Sequence, residues 1–392
     1  MPQRPEPRQR FFLILSASGG AGHLRAAEAL HRTAATSHLP LRTENFDCLD
    51  FTSKVFKKIY AESYLSIVNK APELWGYFYQ KAEQRPYTKK GLLRLFDQVN
   101  YKRYLRALRE FRPDAIICTH FLAFISISNE ARRAGLDAPF FAATTDFDVH
   151  QYWVDSIVER YYVFHEESAW QLQSKGVPSQ KIFVKGIPLV PEFRTTAGKE
   201  QTRTKLNLDE KHFTVLVLSG GFGVGRVEEV VRQVAETLDR FPAQTFSLLV
   251  VCGKNEQAKS QVTRMRFPSN IHPQIFGFVK NVHELMEASD VLISKSGGLT
   301  SAEAMAKSLP MIVIDPIPGQ ETRNADLIIE HGAGWRAINF PNLSFKLQRM
   351  IENPDILTKM RRAAATLAKP NAAQEILEDV YQYLETKNRG TS

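Results

Sequence analysis

Two stretches of the chain share one internal order: a short apolar run, a glycine-rich turn, and a segment with the spacing of an amphipathic helix. The first begins with Phe11–Ala17 and the turn SGGAGH, and the second begins with Thr214–Leu218 and the turn SGGFGVG. Strand-like and helix-like runs continue to alternate after both turns, which is typical of βα units that wind a parallel sheet. The sequence therefore predicts an α/β protein with two doubly wound domains that face each other across a cleft.

The other strand-like runs are short and rich in β-branched and aromatic residues. They are Leu41–Phe46, Ala115–Cys118, Phe140–Thr144, Arg160–Val163, Ile182–Lys185, Phe246–Cys252, Ile275–Phe276, Val291–Ser294 and Met311–Ile314. The polar stretch Thr195–Lys211 lacks strand periodicity, so we predict domains over residues 1–196 and 197–392. Apolar residues at helical spacing in Asn371–Glu385 predict a C-terminal helix that packs back onto the body of the protein.

Composition excludes several classes of protein. With 392 residues, of which 43% are hydrophobic, the chain is large enough for two globular domains. Cys48, Cys118 and Cys252 form no CxxC pair, so neither a disulfide framework nor a zinc ribbon is expected. No apolar run reaches the ~20 residues that a bilayer span needs, and the first residues lack the pattern of a signal peptide. We expect a cytoplasmic protein.

The net charge of +9 is concentrated in one segment. Residues 54–112 hold 14 basic and five acidic side chains, so this segment carries the whole excess. Aromatic residues lie between the cations, a composition that suits reversible binding to an anionic membrane surface. Two alternatives stay open: the aromatic residues form the core of helical hairpins, or the segment binds nucleic acid, for which no fold signature is present.

Three glycine-rich turns between a strand and a helix are candidates for anion binding. They contain Gly20 and Gly22 in the first domain, and Gly221–Gly223 and Ser296–Gly298 in the second. Without side chains, such turns let backbone N–H groups and the positive end of a helix approach a ligand. A diphosphate suits several backbone donors at once. Each turn taken alone is more readily explained as a tight connection between strand and helix.

His23 lies at the end of the first glycine turn, where an imidazole could accept a proton from an alcohol or could merely cap the helix. A second polar segment, TTDFDVH, follows the run Phe140–Thr144 and supplies Asp146, Asp148 and His150. One of these aspartates could orient His23, and His150 is a further candidate base. The spacing of Asp146 and Asp148 also matches a metal-binding DxD, so a metal-dependent alternative stays open.

Acidic and amide side chains follow the third glycine turn. Glu303 lies in the first turns of the predicted helix, where its carboxylate could accept two hydrogen bonds from the vicinal diol of a ribose. Gln320 and Glu321 follow a loop that two prolines and a glycine stiffen. A rigid loop that presents an amide and a carboxylate suits the recognition of sugar hydroxyls.

These residues together resemble a known family. The run SKSGGLTSAEAMAKSLPMIVIDPIPGQETRNADLIIEHGAG, which begins at Ser294, resembles the donor-binding signature of the MurG-like glycosyltransferases of family 28. The glycine turn that ends at His23, the stretch Phe46–Tyr79, the segment TTDFDVHQYW and the segment GIPLVPEF resemble the branch of monogalactosyldiacylglycerol synthases and processive diacylglycerol glucosyltransferases. The resemblance extends from Phe11 to about Glu385.

The resemblance implies two Rossmann-like domains of the GT-B type, with the acceptor in the first and a UDP-sugar in the second. It implies inversion at the anomeric carbon, without a metal ion or a cofactor. His23 would be the general base or would orient the acceptor hydroxyl, and Gly20 and Gly22 would belong to the acceptor loop. Asp146 or Asp148 would orient His23 or contact the acceptor, and His150 is the further candidate base. The donor-binding residues would be Gly221, Phe222, Gly223, Phe278 near the uracil, Ser296, Gly297, Gly298, Glu303 at the ribose, and Gln320, Glu321 and Asn324 at the hexose.

The sequence therefore predicts transfer of a hexose from UDP-glucose or UDP-galactose to diacylglycerol or a related glycolipid. The protein is expected to bind peripherally to the inner face of the cell membrane and not to bind nucleic acid. Two alternatives are a UDP-N-acetylglucosamine 2-epimerase, which has no use for the basic aromatic segment, and a catalytically silent GT-B protein that binds UDP-sugar and lipid.

Overall fold

The computed structural model describes residues 9–18, 20–53, 57, 103–125, 127, 135–219 and 226–389. These residues form two compact units. The first extends to Pro191 and is completed by residues from Pro370 onward, and the second comprises Glu192–Lys369.

The first unit is built on a six-stranded sheet of order β2-β1-β3-β4-β5-β6, in which every neighbouring pair is parallel. Its strands are β1 (Arg10–Ser16), β2 (Leu41–Asp47), β3 (Ala115–Cys118), β4 (Phe140–Ala143), β5 (Val158–Val163) and β6 (Ile182–Val184). Its α-helices are α1 (Ala21–Ala35), α2 (Leu122–Ile125) and α3 (Glu166–Ser174), and residues 103–111 are also helical. Short 3₁₀ turns cover Cys48–Phe51, Gln151–Trp153, Ser179–Lys181 and Pro191–Phe193. The centre of β1 is fully buried on both faces, as expected for an inner strand of a parallel sheet.

The second unit contains another six-stranded parallel sheet, of order β12-β11-β10-β7-β8-β9. Its strands are β7 (Phe213–Leu218), β8 (Phe246–Val251), β9 (Ile271–Phe276), β10 (Val291–Ser294), β11 (Met311–Ile314) and β12 (Gly334–Ala337). Its helices are α4 (Lys199–Lys205), α5 (Val227–Leu238), α6 (Glu256–Thr263), α7 (Val282–Ala288), α8 (Gly298–Ala306), α9 (Gln320–Glu330), α10 (Phe340–Glu352) and α11 (Pro354–Leu367). This strand order is that of a doubly wound nucleotide-binding domain, so the predicted α/β class is confirmed.

The last helix, α12 (Ala372–Arg389), returns to the first unit. Ile376, Leu377 and Val380 join Phe12 and Ile14 of β1 in one buried apolar cluster. Asp379 strengthens the attachment, because its carboxylate accepts hydrogen bonds of 2.7 Å from the Arg160 guanidinium and from the Tyr162 hydroxyl. The predicted closing helix is therefore present.

The observed division differs from the predicted domains over 1–196 and 197–392. Residues 370–389 belong to the first unit because α12 is packed there. Residues 192–196 belong to the second unit, where Lys307 donates a hydrogen bond of 2.6 Å to the Thr195 carbonyl. The Thr196 hydroxyl in turn bonds to the Glu287 carboxylate.

Three further observations concern the composition. Cys48, Cys118 and Cys252 are buried and form no disulfide in the structure. Within the described ranges, no helix has the length and the apolar composition of a membrane span. Most of the basic aromatic segment 54–112 lies outside the described residues, so its prediction is not tested.

Candidate active site

The order of the first sheet reverses between β1 and β3, and the two strands deliver their following residues to the same edge. In doubly wound sheets this crevice, beyond the carboxyl ends of the strands, is the usual ligand site. Gly20 precedes α1, and His23 lies in the first turn of that helix. Thr119 directly follows β3. A Cβ at Gly20 would lie 3.4 Å from the His23 Cδ2, so glycine leaves room beside the imidazole.

Hydrogen bonds fix the His23 ring. Its Nδ1 lies 3.0 Å from the Thr119 carbonyl oxygen, and the Thr119 hydroxyl donates to the His23 carbonyl at 2.9 Å. The Thr145 hydroxyl oxygen also lies 2.7 Å from Nδ1. Because a carbonyl oxygen only accepts, Nδ1 carries the proton in the neutral ring and Nε2 carries the lone pair. The helix-cap alternative is wrong, since the cap residue of α1 is Gly20 and no side chain caps the helix.

Burial determines the charge of His23. It lowers the pKa of this imidazole from 6.5 to about 4, and the hydrogen bond to Thr119 only partly opposes the shift. His23 is therefore neutral at physiological pH and can accept a proton at Nε2.

His120 is a neighbour that the sequence analysis missed. Its ring lies 4.4 Å from the His23 ring, centroid to centroid, in an edge-to-face arrangement. Burial and the proximity of His23 hold the pKa of His120 well below its ordinary value. Its Nδ1 accepts a hydrogen bond of 3.0 Å from the backbone N–H of Leu122, so the proton of the neutral ring is on Nε2. The sequence feature that could have identified His120 is its position two residues after β3, one of the two strands between which the order of the first sheet reverses.

The predicted segment after β4 is buried throughout residues 144–150. Phe147 stacks on Phe164 at 3.8 Å between ring centroids, and the backbone N–H of Val149 donates to the Gln171 side chain at 2.9 Å. Thr145, which the sequence analysis did not select, reaches His23 from this segment. Participation of the buried Asp146 and Asp148 stays a prediction.

His150 has a local structural contact. Its Nδ1 accepts a hydrogen bond of 3.2 Å from the backbone N–H of Tyr152, and the side chain thereby caps the turn Gln151–Trp153. In the neutral ring the proton is then on Nε2, which makes His150 a donor there. Of the two candidate bases, the geometry favours His23.

In the second unit, the third glycine turn and the proline-containing loop form one connected structure. The Ser296 hydroxyl donates to the Glu321 carbonyl at 2.6 Å, and the Asn324 amide donates to the Ser296 carbonyl at 3.0 Å. The Glu321 carboxylate accepts a hydrogen bond of 2.7 Å from the backbone N–H of Ile317. A Cβ at Gly297 would lie 3.6 Å from that carboxylate. The structure therefore brings together Ser296, Gly297, Glu321 and Asn324, as a shared donor site requires.

The other predicted donor residues differ in their surroundings. Glu303 is buried within α8, Gly298 is the first residue of that helix, and Gln320 is the first residue of α9. Phe278 follows β9 with 54% of its surface exposed, and the Lys254 ammonium lies 5.9 Å from the centre of its ring. Gly221, Phe222 and Gly223 lie outside the described residues.

Arg226, which the sequence analysis did not select, directly precedes α5. Its guanidinium contacts the Asp315 carboxylate at 3.0 Å, and both residues line a pocket at the carboxyl ends of β7, β10 and β11. Asp315 has a φ of 46°, an uncommon conformation for a residue other than glycine. The pocket also contains Ser219 and Lys295, so two cations lie where the second sheet reverses its strand order.

Comparisons with known proteins agree with this architecture. The family described as monogalactosyldiacylglycerol (MGDG) synthase matches residues 23–189, and the glycosyltransferase family 28 C-terminal domain matches residues 214–376. The chain therefore carries a domain that matches the MGDG synthase family, followed by a C-terminal domain that matches glycosyltransferase family 28. Among curated relatives, the processive diacylglycerol beta-glucosyltransferase of Bacillus subtilis (strain 168) is 28% identical over 95% of this chain and 95% of its own length. The enzyme of the same name from Bacillus cereus (strain B4264) is 28% identical over 94% of this chain and 92% of its own length.

Solved structures show the same fold. Acinetobacter baumannii MurG matches with a TM-score of 0.62 and 14% identity over 95% of this chain and 99% of its own. UDP-bound Staphylococcus aureus MnaA matches with a TM-score of 0.63 and 13% identity over 96% of this chain and 97% of its own. A UDP-GlcNAc 2-epimerase from Neisseria meningitidis matches with a TM-score of 0.60 and 15% identity over 95% and 100%. The GT-B fold is therefore confirmed, and because epimerases share it, the sequence families decide between the two classes.

Proposed function

We propose that this family 28 glycosyltransferase transfers a hexose from a UDP-sugar to the hydroxyl of diacylglycerol or of a glycolipid made from it. The His23 site carries the proposal. A partly buried, neutral imidazole, with its Nδ1 proton directed to a backbone carbonyl and its lone pair on Nε2, is suited to remove a proton from an alcohol.

The reaction is a single displacement. The acceptor hydroxyl transfers its proton to the His23 Nε2 while its oxygen forms a bond to the anomeric carbon of the hexose. The bond from that carbon to the diphosphate oxygen breaks on the opposite face, so the configuration inverts and UDP leaves. General base catalysis of this kind contributes about 10²- to 10⁴-fold to the rate.

Negative charge develops on the diphosphate as UDP leaves. The N-terminal end of α8, where Gly297 and Gly298 carry no side chain, supplies N–H groups and a positive helix end. Arg226 and Lys295 add cationic side chains at the same edge of the sheet. These groups would stabilise the leaving group without a metal ion, and metal independence is part of the proposal.

Glucose is the donor sugar that the relatives favour, since they are named as diacylglycerol glucosyltransferases. Galactose is the alternative, since the matching family description names a galactosyl product. The two sugars differ in the orientation of one hydroxyl. We propose that Gln320 and the Glu321 carboxylate, which the Ile317 N–H holds in place, contact the hexose and determine this choice.

The acceptor lipid stays in its bilayer, so the enzyme has to bind there. We propose peripheral binding to an anionic membrane at the inner face of the cell membrane, through the basic aromatic segment 54–112. The charge of that segment supports the proposal.

The test is a transfer assay with diacylglycerol and either UDP-glucose or UDP-galactose, in which the product is identified by mass spectrometry. The His23→Ala variant should lose transfer, and calorimetry should show that it binds UDP as the wild type does. Absence of any glycolipid with the wild-type protein would favour a silent UDP-sugar-binding protein. Epimerisation of UDP-N-acetylglucosamine would favour the epimerase class.

A further inference from the structure

An exposed apolar stripe lies on the second unit and is separate from the donor-binding residues. It consists of the apolar residues Ile338, Pro341 and Phe345 together with the cationic Arg349, and we call it the α10 stripe. Ile338 is 75% exposed and Phe345 is 60% exposed. Residues 341, 345 and 349 follow each other at intervals of one helical turn, so they share one face of α10. The opposite face, with Leu343, Leu347 and Met350, is fully buried in the core.

The charged residues nearest in sequence to Ile338 and Phe345 are cationic. Between Glu330 and Glu352 the sequence contains no acidic residue, whereas Arg336, Lys346 and Arg349 are cationic. The Lys346 ammonium lies 5.3 Å from the centre of the Trp335 ring. Glu352 ends α10 one turn beyond Arg349, so Phe345 itself has cations and no carboxylate within one turn of its own helix. Exposed apolar side chains in such surroundings are complementary to an anionic lipid surface.

Another exposed aromatic residue provides a contrast. Trp170 on α3 is 72% exposed, but Glu166 and Glu167 precede it by one helical turn and lie on its side of the helix. An anionic surface would repel these carboxylates. Exposure of an aromatic side chain alone therefore does not distinguish the α10 stripe, whereas the sign of the neighbouring charge does.

The α10 stripe begins at the edge of the second sheet that carries the donor site. Ile338 follows β12, as Asp315 follows β11 and Lys295 follows β10, and these strands are parallel. The Phe340 ring lies 4.5 Å from the guanidinium carbon of Arg226, which pairs with Asp315. A lipid surface against the stripe would therefore lie close to the donor-binding edge.

We propose that the α10 stripe is a second membrane contact, by which the donor-binding unit binds anionic phospholipid in addition to any contact made by the first unit. The proposal rests on the proposed function, because a membrane-resident acceptor gives the donor unit a reason to lie at the bilayer. Phe345 and Ile338 enter the interfacial region, and Arg349 pairs with lipid phosphate.

Insertion can be measured directly, because the three native cysteines are buried. A thiol introduced by Phe345→Cys can be labelled with an environment-sensitive fluorophore, and Trp170→Cys provides the matched control. Vesicles that contain phosphatidylglycerol should shift the emission at position 345 to shorter wavelength and leave that at position 170 unchanged. An unchanged emission at position 345, or equal shifts at both positions, would overturn the proposal.

Sedimentation with the same vesicles provides an independent measurement. Arg349→Gln should lower the partition coefficient about fivefold, the factor that corresponds to about 1 kcal/mol per cation at an anionic surface. Phe345→Ser should lower it about tenfold, and Trp170→Ser should leave it unchanged. Wild-type binding in both variants, or equal binding to phosphatidylcholine vesicles, would contradict the proposal. So would a dimer of the wild type that Phe345→Ser dissociates, because the stripe would then be an interface between copies.

Transfer to a short-chain, water-soluble diacylglycerol separates this proposal from the proposed function. The variants should retain this activity, since the assay needs no membrane. If the wild type lacks it, the proposed function fails, whereas a loss of vesicle binding alone concerns only the α10 stripe.

Discussion

The protonation state of His23 determines how kcat/KM falls at acidic pH. Its pKa in the folded protein is about 4, so the ring is neutral and able to accept a proton at every pH above that value. We expect kcat/KM to be constant from about pH 5 to neutrality and to fall only below that range. A pH profile measured with a soluble acceptor would check this. An acid limb centred near 6.5, the ordinary value for histidine, would show that the base is more exposed than His23 or is another residue.

Thr145 is a positioning residue, because its hydroxyl contacts the His23 Nδ1 and not the reacting atoms. Thr145→Val keeps the shape of the side chain and removes the hydroxyl, so we expect kcat to fall about five- to tenfold. KM for the UDP-sugar should not change, and Thr145→Ser should restore most of the rate. A loss that serine does not restore would indicate a packing role instead.

At the level of single residues, sequence patterns identified His23 but not the groups that hold it. The Thr119 carbonyl is a backbone atom, which no pattern of side chains reveals. Thr145 directly precedes Asp146, one of the two aspartates that the sequence pattern indicates as partners of His23. Only the register between β1 and β3 places Thr119 against His23.

Among the elements, α12 is the clearest example of a helix that stabilises a sheet far from it in sequence, because it packs on the first sheet. Leu377→Ala removes a fully buried side chain from its contact with the first sheet. We expect the free energy of unfolding to fall by about 3 kcal/mol. Urea denaturation would measure it, with the exposed Gln382→Ala on the same helix as the control. Equal stability of the two variants would mean that α12 is not packed as described.

The strands show which elements a sequence pattern can predict. Ala115–Cys118, Val291–Ser294 and Met311–Ile314 were predicted to the residue because every side chain in them is apolar or small and buried. Only the end of β9 was predicted, because His272, Pro273 and Gln274 lack the apolar pattern of an inner strand. Such residues are tolerated in β9 because it lies at the edge of the sheet. β12 was missed because it is short and contains Gly334, which is required where a Cβ would lie 2.6 Å from the Met311 carbonyl oxygen.

On the scale of the whole molecule, the excess positive charge and the predicted donor site belong to different parts of the chain. The predicted donor residues Ser296, Glu303 and Glu321 lie in the second unit, whereas the predicted membrane segment 54–112 precedes it in the chain. The twofold βα pattern predicted two nucleotide-type sheets, and the structure confirmed both. It could not predict that the chain returns to the first unit at Pro370, since that depends on apolar faces far apart in sequence.

The charge that develops on the diphosphate also bears on the metal-dependent alternative. A metal held by Asp146 and Asp148 would act on this charge. The proposed function assigns that role to the N-terminal end of α8 and to Arg226 and Lys295. We therefore expect excess EDTA to leave kcat/KM unchanged and Asp148→Asn to leave KM for the UDP-sugar unchanged. Loss of activity with EDTA that Mg²⁺ or Mn²⁺ restores, together with a raised KM in Asp148→Asn, would place a metal at the diphosphate and contradict the mechanism.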